Sequence, residues 1–356
     1  MQLGEPNVAI SGLEVIMFYD EVFNFEHLFE CYKKCCKGVR WKPSTQIYEA
    51  QAVRNVCATL EKLKERNFKS KGFHTFYIHE RGKIRFIQSI HISERVVQKC
   101  LCDYCLTPLF RPTFIYDNGA CMKGKGTHFA VRRLKVHLQK YYKQYGHTGY
   151  VLLFDLHDYF NTINHDVLFE KVRQKIKDDD LFNIYKYFIS CFEGDGIGLG
   201  SQVSQISSSI YLNGLDHFIK EKLHIKFYGR YMDDGYLISN SKWELRECLE
   251  EIKKVLADLK IELNTKKTKI VKIQEGFRFL KRTFFLKPDG KIIMKPYKKN
   301  IQRYKRKYRK LLNKGISQEA LKVLEQTFKG YLKEFHYHDY YTRRVKECLS
   351  QKKCQT

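Results

Sequence analysis

Three aspartates sit where an acid is costly. Asp155 closes the apolar run 149–156, and Asp233 and Asp234 stand side by side in the short break between the apolar runs 225–230 and 236–239. A carboxylate at the end of a buried strand, or doubled in a tight turn, needs a compensating charge, and a divalent cation is the natural one. Hard oxygen donors favour magnesium, which keeps part of its water shell and takes phosphate oxygens. Two such ions about 4 Å apart clamp the attacking and leaving oxygens of an in-line displacement at phosphorus. Taken alone, the Asp-Asp pair reads equally as an acidic surface turn, because acids are frequent in turns.

The elements that must position these groups show in the spacing of apolar residues. Residues 23–69 repeat them every three or four positions, which predicts helices. Residues 74–79 alternate as a strand, 80–83 supply a turn and 84–90 return, predicting a hairpin that carries Lys83 and Arg85. Ser93 is expected to cap a helix through Val96, Val97 and Leu101. The run 149–156 predicts a buried strand, with a helix from about Asp166. Runs 225–230 and 236–239 predict two strands joined across 231–235, and a helix over 206–218 is expected to begin at Gln205. Leu245, Leu249, Ile252, Leu256 and Leu259 form one stripe of a helix over 243–260. Strands near Ile270 and Phe279 and a basic helical tail follow. This order predicts an α+β class rather than alternating βαβ units.

A chain of 356 residues has room for two or three compact domains, and 43% hydrophobic with 14% aromatic residues excludes a disordered class. Lys and Arg number 65 against 39 acids, a net +26, which implies a polyanionic partner. Residues 281–314 hold fourteen Lys or Arg and one acid, Asp289, with Tyr297, Tyr304 and Tyr308 interleaved. That mixture suits a phosphate backbone and its bases. No apolar run approaches the roughly 18 residues of a membrane span. Residues 1–16 lack a basic leader, so no secretory signal is expected, and the twelve cysteines read as reduced thiols in a cytoplasmic protein. Cys102-x-x-Cys105 lacks a matching second pair and is expected to pack rather than hold zinc.

Tyr231-Met232-Asp233-Asp234 between two strands resembles the C motif of reverse transcriptases, and Phe154-Asp155-Leu156-His157-Asp158-Tyr159-Phe160 resembles their A motif. Gly82-Lys83-Ile84-Arg85, leading to Glu94-Arg95-Val96-Val97-Gln98, resembles the fingers segment. Lys123-Gly124-Lys125-Gly126-Thr127-His128 resembles the next block, 264–269 the D motif, and Gly276-Phe277-Arg278-Phe279-Leu280 the primer-grip hairpin. The blocks run in family order over roughly 70–285.

The resemblance implies a right-handed polymerase fold with an antiparallel palm sheet and a basic helical thumb. Residues 1–144 would form N-terminal helices and fingers, 145–295 the palm with fingers residues inserted around 165–200, and 296–356 the thumb. It implies template-directed transfer of deoxynucleotides to a 3′-hydroxyl on an RNA template. Asp155, Asp233 and Asp234 would be catalytic, with Leu156 joining them in the metal-binding set for two magnesium ions, manganese being the substitute. Lys267 would protonate the pyrophosphate, a solvated surface lysine being its other role. Lys83 and Arg85 would neutralise the triphosphate, and Asp158, Tyr159, Phe160 and Gln205 would form the nucleotide pocket. Phe160 would press on the sugar 2′ position, core packing being its alternative. Arg95, Lys123, Lys125, Lys305, Arg306, Lys307 and Arg309 would bind nucleic acid. The implied partners are an RNA template, a DNA or RNA primer and deoxynucleoside triphosphates, then a structured noncoding RNA and a small accessory protein, with no membrane.

Leu199-Gly200-Ser201-Gln202-Val203-Ser204-Gln205 stands where many relatives carry a Gln-Gly…Ser-Pro block. This form resembles the enzymes of diversity-generating retroelements, which copy template RNA with adenine-directed errors, and residues 114–128 and the short compact length point the same way. The alternative is a bacterial or phage-encoded defence reverse transcriptase copying its own noncoding RNA; Gly235, after the Asp pair, departs from many relatives and leaves the choice open. A third reading is a non-catalytic RNA binder on a polymerase scaffold, against which the intact aspartates argue. With 76 residues after Leu280, no RNase H, endonuclease or large maturase domain is expected.

Overall fold

The computed structural model describes residues 16–80, 83–192 and 195–343. Residues 1–15 of the expected leader-free start, 81–82 of the expected turn and 344–356 of the expected thumb lie outside the described residues, as do the side chains of Glu80, Lys83 and Arg85. The chain forms two units. One runs to Ile115 and takes up His157–Asp216 and Leu256–Ile261; the other takes Tyr116–Leu156, His217–Val255 and the chain from Glu262 onward.

The first unit is helical apart from one hairpin. The Phe25–Cys36 helix starts at Asn24, whose side chain accepts from the His27 N–H, and it buries Leu28, Cys31, Tyr32, Cys35 and Cys36 on one stripe. Strands β1 (Phe73–Glu80) and β2 (Lys83–Ile90) pair antiparallel with Phe73 opposite Ile90. The next helix, Ile92–Leu101, is capped by His91 and not by Ser93, because the His91 Nδ1 accepts from the Ser93 N–H. Burial pushes the Cys105 thiol up to about 12, as expected of a packed side chain.

The helix expected over 206–218 instead spans Gln202–Tyr211. Ser201 starts it early: its hydroxyl accepts from the Ser204 N–H at 3.4 Å and donates to Gln98 Oε1 at 2.6 Å. Gln205 is therefore an exposed position inside the helix, its N–H donating to the Ser201 carbonyl, and not a residue preceding it.

In the second unit, β3 (Tyr150–Asp155), β4 (Phe227–Tyr231), β5 (Asp234–Ser239) and β6 (Lys269–Lys272) form an antiparallel sheet in the order β4-β5-β3-β6. The Thr127–Tyr145 helix packs Leu134, Leu138 and Tyr141 on Val151, Leu153, Tyr236 and Ile238 of that sheet. Each such apolar side chain contributes roughly 1.5–3 kcal/mol when fully buried. This helix was expected to go with the fingers; its apolar stripe belongs to the core of the second unit. Strands β7 (Phe277–Phe279), β8 (Arg282–Leu286) and β9 (Ile292–Pro296) form a second sheet that adds Phe277, Phe284 and Met294 to the same core. The Lys298–Asn313 and Gln318–Leu332 helices follow, with Tyr304 stacked on Phe328 at 3.7 Å between ring centroids. Among the described residues no helix is long and apolar enough to cross a membrane.

Gly235 has a packing reason. It pairs with Phe154 across β3 and β5, and a Cβ there would lie 2.2 Å from the Phe154 ring. Gly235→Ala should cost about 1–3 kcal/mol through overpacking. Thermal melting checks this: a lowered Tm that Phe154→Leu partly restores is the expected outcome, and an unchanged Tm would show that the ring moves aside freely.

Candidate active site

The register of the central sheet brings two of the three aspartates together. Asp155, at the end of β3, is 4% exposed and pairs directly with Asp234, the first residue of β5. Tyr231 pairs with Asp234, so only Met232 and Asp233 make the turn, a tighter connection than the expected 231–235. Asp233 is thus at the turn tip while Asp234 is in the sheet opposite Asp155.

Lys267 answers this charge. Its ammonium donates to both oxygens of Asp155 at 2.6 Å, and its side chain is half-exposed. It is delivered by a turn tied to the same strand: the Asn264 N–H donates to the Asp155 carbonyl at 2.7 Å, and the Lys267 N–H donates to the Asn264 carbonyl at 3.1 Å. Burial pushes the Asp234 carboxyl up to about 8, helped by the charges of Asp233 and Asp155 and opposed by Lys267. The backbone bridge from Leu156 to Leu263 continues this edge.

A divalent cation fits the chemistry of this donor set. The raised Asp234 carboxyl marks an excess of negative charge, and the donors are hard oxygens. Among the described residues no three carboxylate, imidazole or thiol groups converge as a ready-made ligand set. Asp155 is held by Lys267 instead, so a cation would share that carboxylate with the ammonium.

The turn carries strain and a brace that spacing alone did not reveal. Met232 has φ 55°, the left-handed region that favours glycine. The Arg230 guanidinium, 1% exposed, donates from Nη1 to the Met232 carbonyl at 2.9 Å. The Arg230 backbone is itself gripped by the preceding segment, since its N–H donates to the Asp117 carbonyl and its carbonyl accepts from the Gly119 N–H. The Asp117 carboxyl accepts from Arg133 Nε at 2.6 Å and has His137 and Lys220 at 3.4 Å. Burial works to raise this carboxyl, but the hydrogen bonds from His137 and Arg133 prevail and hold it well below the usual carboxylate range. The only sequence hint of this brace was an arginine directly before the Tyr-Met-Asp-Asp run.

Other expected site residues divide between the units. Asp158, Tyr159, Phe160, Gln205 and Arg95 belong to the first unit, as do the backbones of Lys83 and Arg85. Asp158 is exposed, at φ 45°, and accepts from Asn161 Nδ2 at 2.9 Å. Tyr159 is 3% exposed and its hydroxyl donates to the Ser208 carbonyl. Phe160 is half-buried, its carbonyl accepting from the Ile197 N–H.

In the second unit Lys123 is exposed, whereas the Lys125 ammonium donates to the Tyr116 and Asn118 carbonyls at 2.8 and 3.1 Å. Arg306 and Lys307 are exposed on the Lys298–Asn313 helix, while Lys305 and Arg309 are half-buried. A cavity of about 390 Å³ joins Asp155 and Asp234 to Lys266, Lys267, Arg278 and Lys281.

The family described as reverse transcriptase (RNA-dependent DNA polymerase) matches residues 69–284. Among curated proteins the chain is similar to Protein YkfC of Escherichia coli (strain K12), 25% identical over 241 residues, covering 56% of this chain and 62% of that protein. The chain thus spans less than two thirds of that relative's length. Among solved structures it is similar to apo telomerase from Candida tropicalis, with a TM-score of 0.50 and 15% identity over 74% of this chain and 52% of that one. This likeness shows the polymerase fold alone. Telomerase from Candida albicans with a fragment of telomeric RNA gives a TM-score of 0.48 at 12% identity, over 85% of this chain and 63% of that one.

Millimolar Mg2+ should raise the Tm of the protein by neutralising the carboxylates, and raise it more in Lys267→Met, where no ammonium competes for Asp155. Asp234→Asn should remove the increment. Differential scanning fluorimetry against matched ionic strength in NaCl is the check. An equal response to NaCl would show only general screening.

Proposed function

The chain belongs to the reverse transcriptase (RNA-dependent DNA polymerase) family, and on that premise we propose that it transfers deoxynucleotides to a primer 3′-hydroxyl, directed by an RNA template. The observation that carries this reading is the register that sets Asp155 opposite Asp234, with Lys267 bridging both Asp155 oxygens.

Asp155 and Asp234, with Asp233 at the turn tip and the Leu156 backbone adjacent, would hold the divalent cations of the family, two of magnesium in this reading. When bound, these neutralise the triphosphate and make the primer hydroxyl easier to deprotonate. Lys267 holds Asp155 in orientation and stands within reach of a leaving pyrophosphate, to which its ammonium can give a proton. Arg230 keeps the Met232–Asp233 turn from relaxing, so that the carboxylates meet substrate already placed. By family resemblance, Phe160 is the candidate for excluding a 2′-hydroxyl, and Lys83 and Arg85 are the candidates for neutralising a triphosphate. Arg306 and Lys307 present exposed cations to the template–primer backbone.

Primer extension on a defined RNA template tests the carboxylates. Asp155→Asn and Asp234→Asn should each lower extension by on the order of a thousandfold while RNA binding stays within about twofold. Extension within about tenfold of the parent would exclude these residues from catalysis.

Within the family, the Leu199–Gln205 block supports an error-prone enzyme of a diversity-generating retroelement. Gln205 is exposed on the Gln202–Tyr211 helix, with an amide that both donates and accepts. A proline there would remove its N–H bond to Ser201 and distort the helix, so Gln205→Ala is the informative change. Sequenced cDNA should show errors concentrated at template adenines in the parent and fewer in Gln205→Ala. Uniformly low error in the parent would transfer the assignment to a defence enzyme copying its own noncoding RNA.

A further inference from the structure

The second unit contains another cavity, of about 730 Å³, formed by β8, β9 and the start of the Lys298–Asn313 helix. Its charge is one-sided. Arg278, Lys295, Lys298 and Lys305 line it, and among the described residues no acid does. Like charges gathered in a concave site repel one another and focus a field that draws an anion. The helix entering this wall has Tyr297 at its N-cap with no side-chain cap, so its positive end adds to the same field.

Flat rings complete the wall. Phe285, Tyr297 and Tyr340 line the cavity beside the cations. Arg278 sits 5.2 Å over the Tyr297 ring and Lys295 lies 4.9 Å over Phe285. Inorganic phosphate would use the cations and leave the rings idle, and an acyl chain would use the rings and leave the cations idle. A heterocyclic base joined to a phosphate uses both, by stacking and by charge-assisted hydrogen bonds. The volume lies in the range of small-ligand sites.

We infer that this cavity is a second nucleotide site, separate from the catalytic cavity, which binds a nucleoside 5′-phosphate with its phosphate on Lys295 and Lys298 and its base against the rings. Arg278 and Tyr297 line both cavities, so an occupant here draws on the arginine that also faces Asp155 and Asp234. The nucleotide is either free or the 5′-terminal nucleotide of an RNA strand. The inference rests on the cavity itself and holds whether or not the chain polymerises DNA.

Equilibrium binding in EDTA isolates this site, because the carboxylates then have no cation through which to hold a triphosphate. ATP should bind saturably, at least about tenfold more weakly to Lys295→Gln/Lys298→Gln, and unchanged to Asp155→Asn/Asp234→Asn. Two versions of one short RNA separate the sources. Preference for the 5′-phosphorylated strand over its 5′-hydroxyl form assigns the site to a strand end, and equal binding of the two assigns it to free nucleotide. Thermal melting reports whether the double variant folds; if it does not, Lys298→Gln, at an exposed position, carries the same comparison. Inorganic phosphate binding as tightly as ATP would overturn the nucleotide class. Absence of saturable binding, unchanged affinity in a folded lysine variant, or loss of binding in the aspartate variants would overturn the site.

Discussion

Negative charge crowded at one end of β3 is the constraint on which the second unit is built. Asp155 and Asp234 face each other across the register, with Asp233 one residue away, and burial makes that charge expensive. Left alone, such a cluster would take up protons or push the strands apart. Lys267 prevents this by bonding both Asp155 oxygens, and its own turn is fastened to the Asp155 carbonyl through Asn264. The same excess charge that costs stability is what a cationic ligand would relieve, so the expense and the function have one origin.

Strands and turn must then be stiff enough to keep the acids where they are. Phe154 lies over Gly235 beside the pair, and the helix Thr127–Tyr145 loads the opposite side of the sheet with apolar contacts. Met232 occupies a backbone region that non-glycine residues avoid, and a fully buried guanidinium braces its carbonyl. Arg230 is held in turn by the Asp117–Gly119 segment, whose carboxylate is satisfied by Arg133, His137 and Lys220. A buried polar network of this kind rigidifies what it surrounds. Strain at the turn persists because so many neighbours over-determine it.

Cations elsewhere in the second unit are arranged differently. On the Lys298–Asn313 helix, Tyr304 turns inward to stack on Phe328 while Arg306 and Lys307 face solvent. Solvated cations of this sort bind phosphate without paying for burial, which suits a partner that must move through the site. Around the second cavity the cations are instead set against rings, a geometry that suits a ligand with a flat face as well as a charge.

Much of this was legible in the chain because its causes are local. An apolar run long enough to bury both faces of a strand, closed by Asp155, can hardly be anything but a core strand ending at a site, and the alternation of 74–79 and 84–90 and the stripe over 243–260 follow from side-chain period alone. The Tyr-Met-Asp-Asp run between two strands fixed the family and the acids by the same token. Residue type and spacing do not say which way a side chain turns once several partners compete for it. The resemblance named Lys125 and Tyr159, but it could not say that two carbonyls meet the ammonium of one or that the Ser208 carbonyl meets the hydroxyl of the other. Ser201 and His91 took the caps assigned to their neighbours, because cap choice depends on a hydrogen bond worth only about 1 kcal/mol. Which aspartate of the pair faces Asp155 was decided by the length of the turn, since one residue more or less reverses every side chain of β5. The sequence by itself determined the family and the strands that carry its acids; the tertiary structure decided their register, their partners and the buried arginine behind them, because those depend on contacts between segments far apart in the chain.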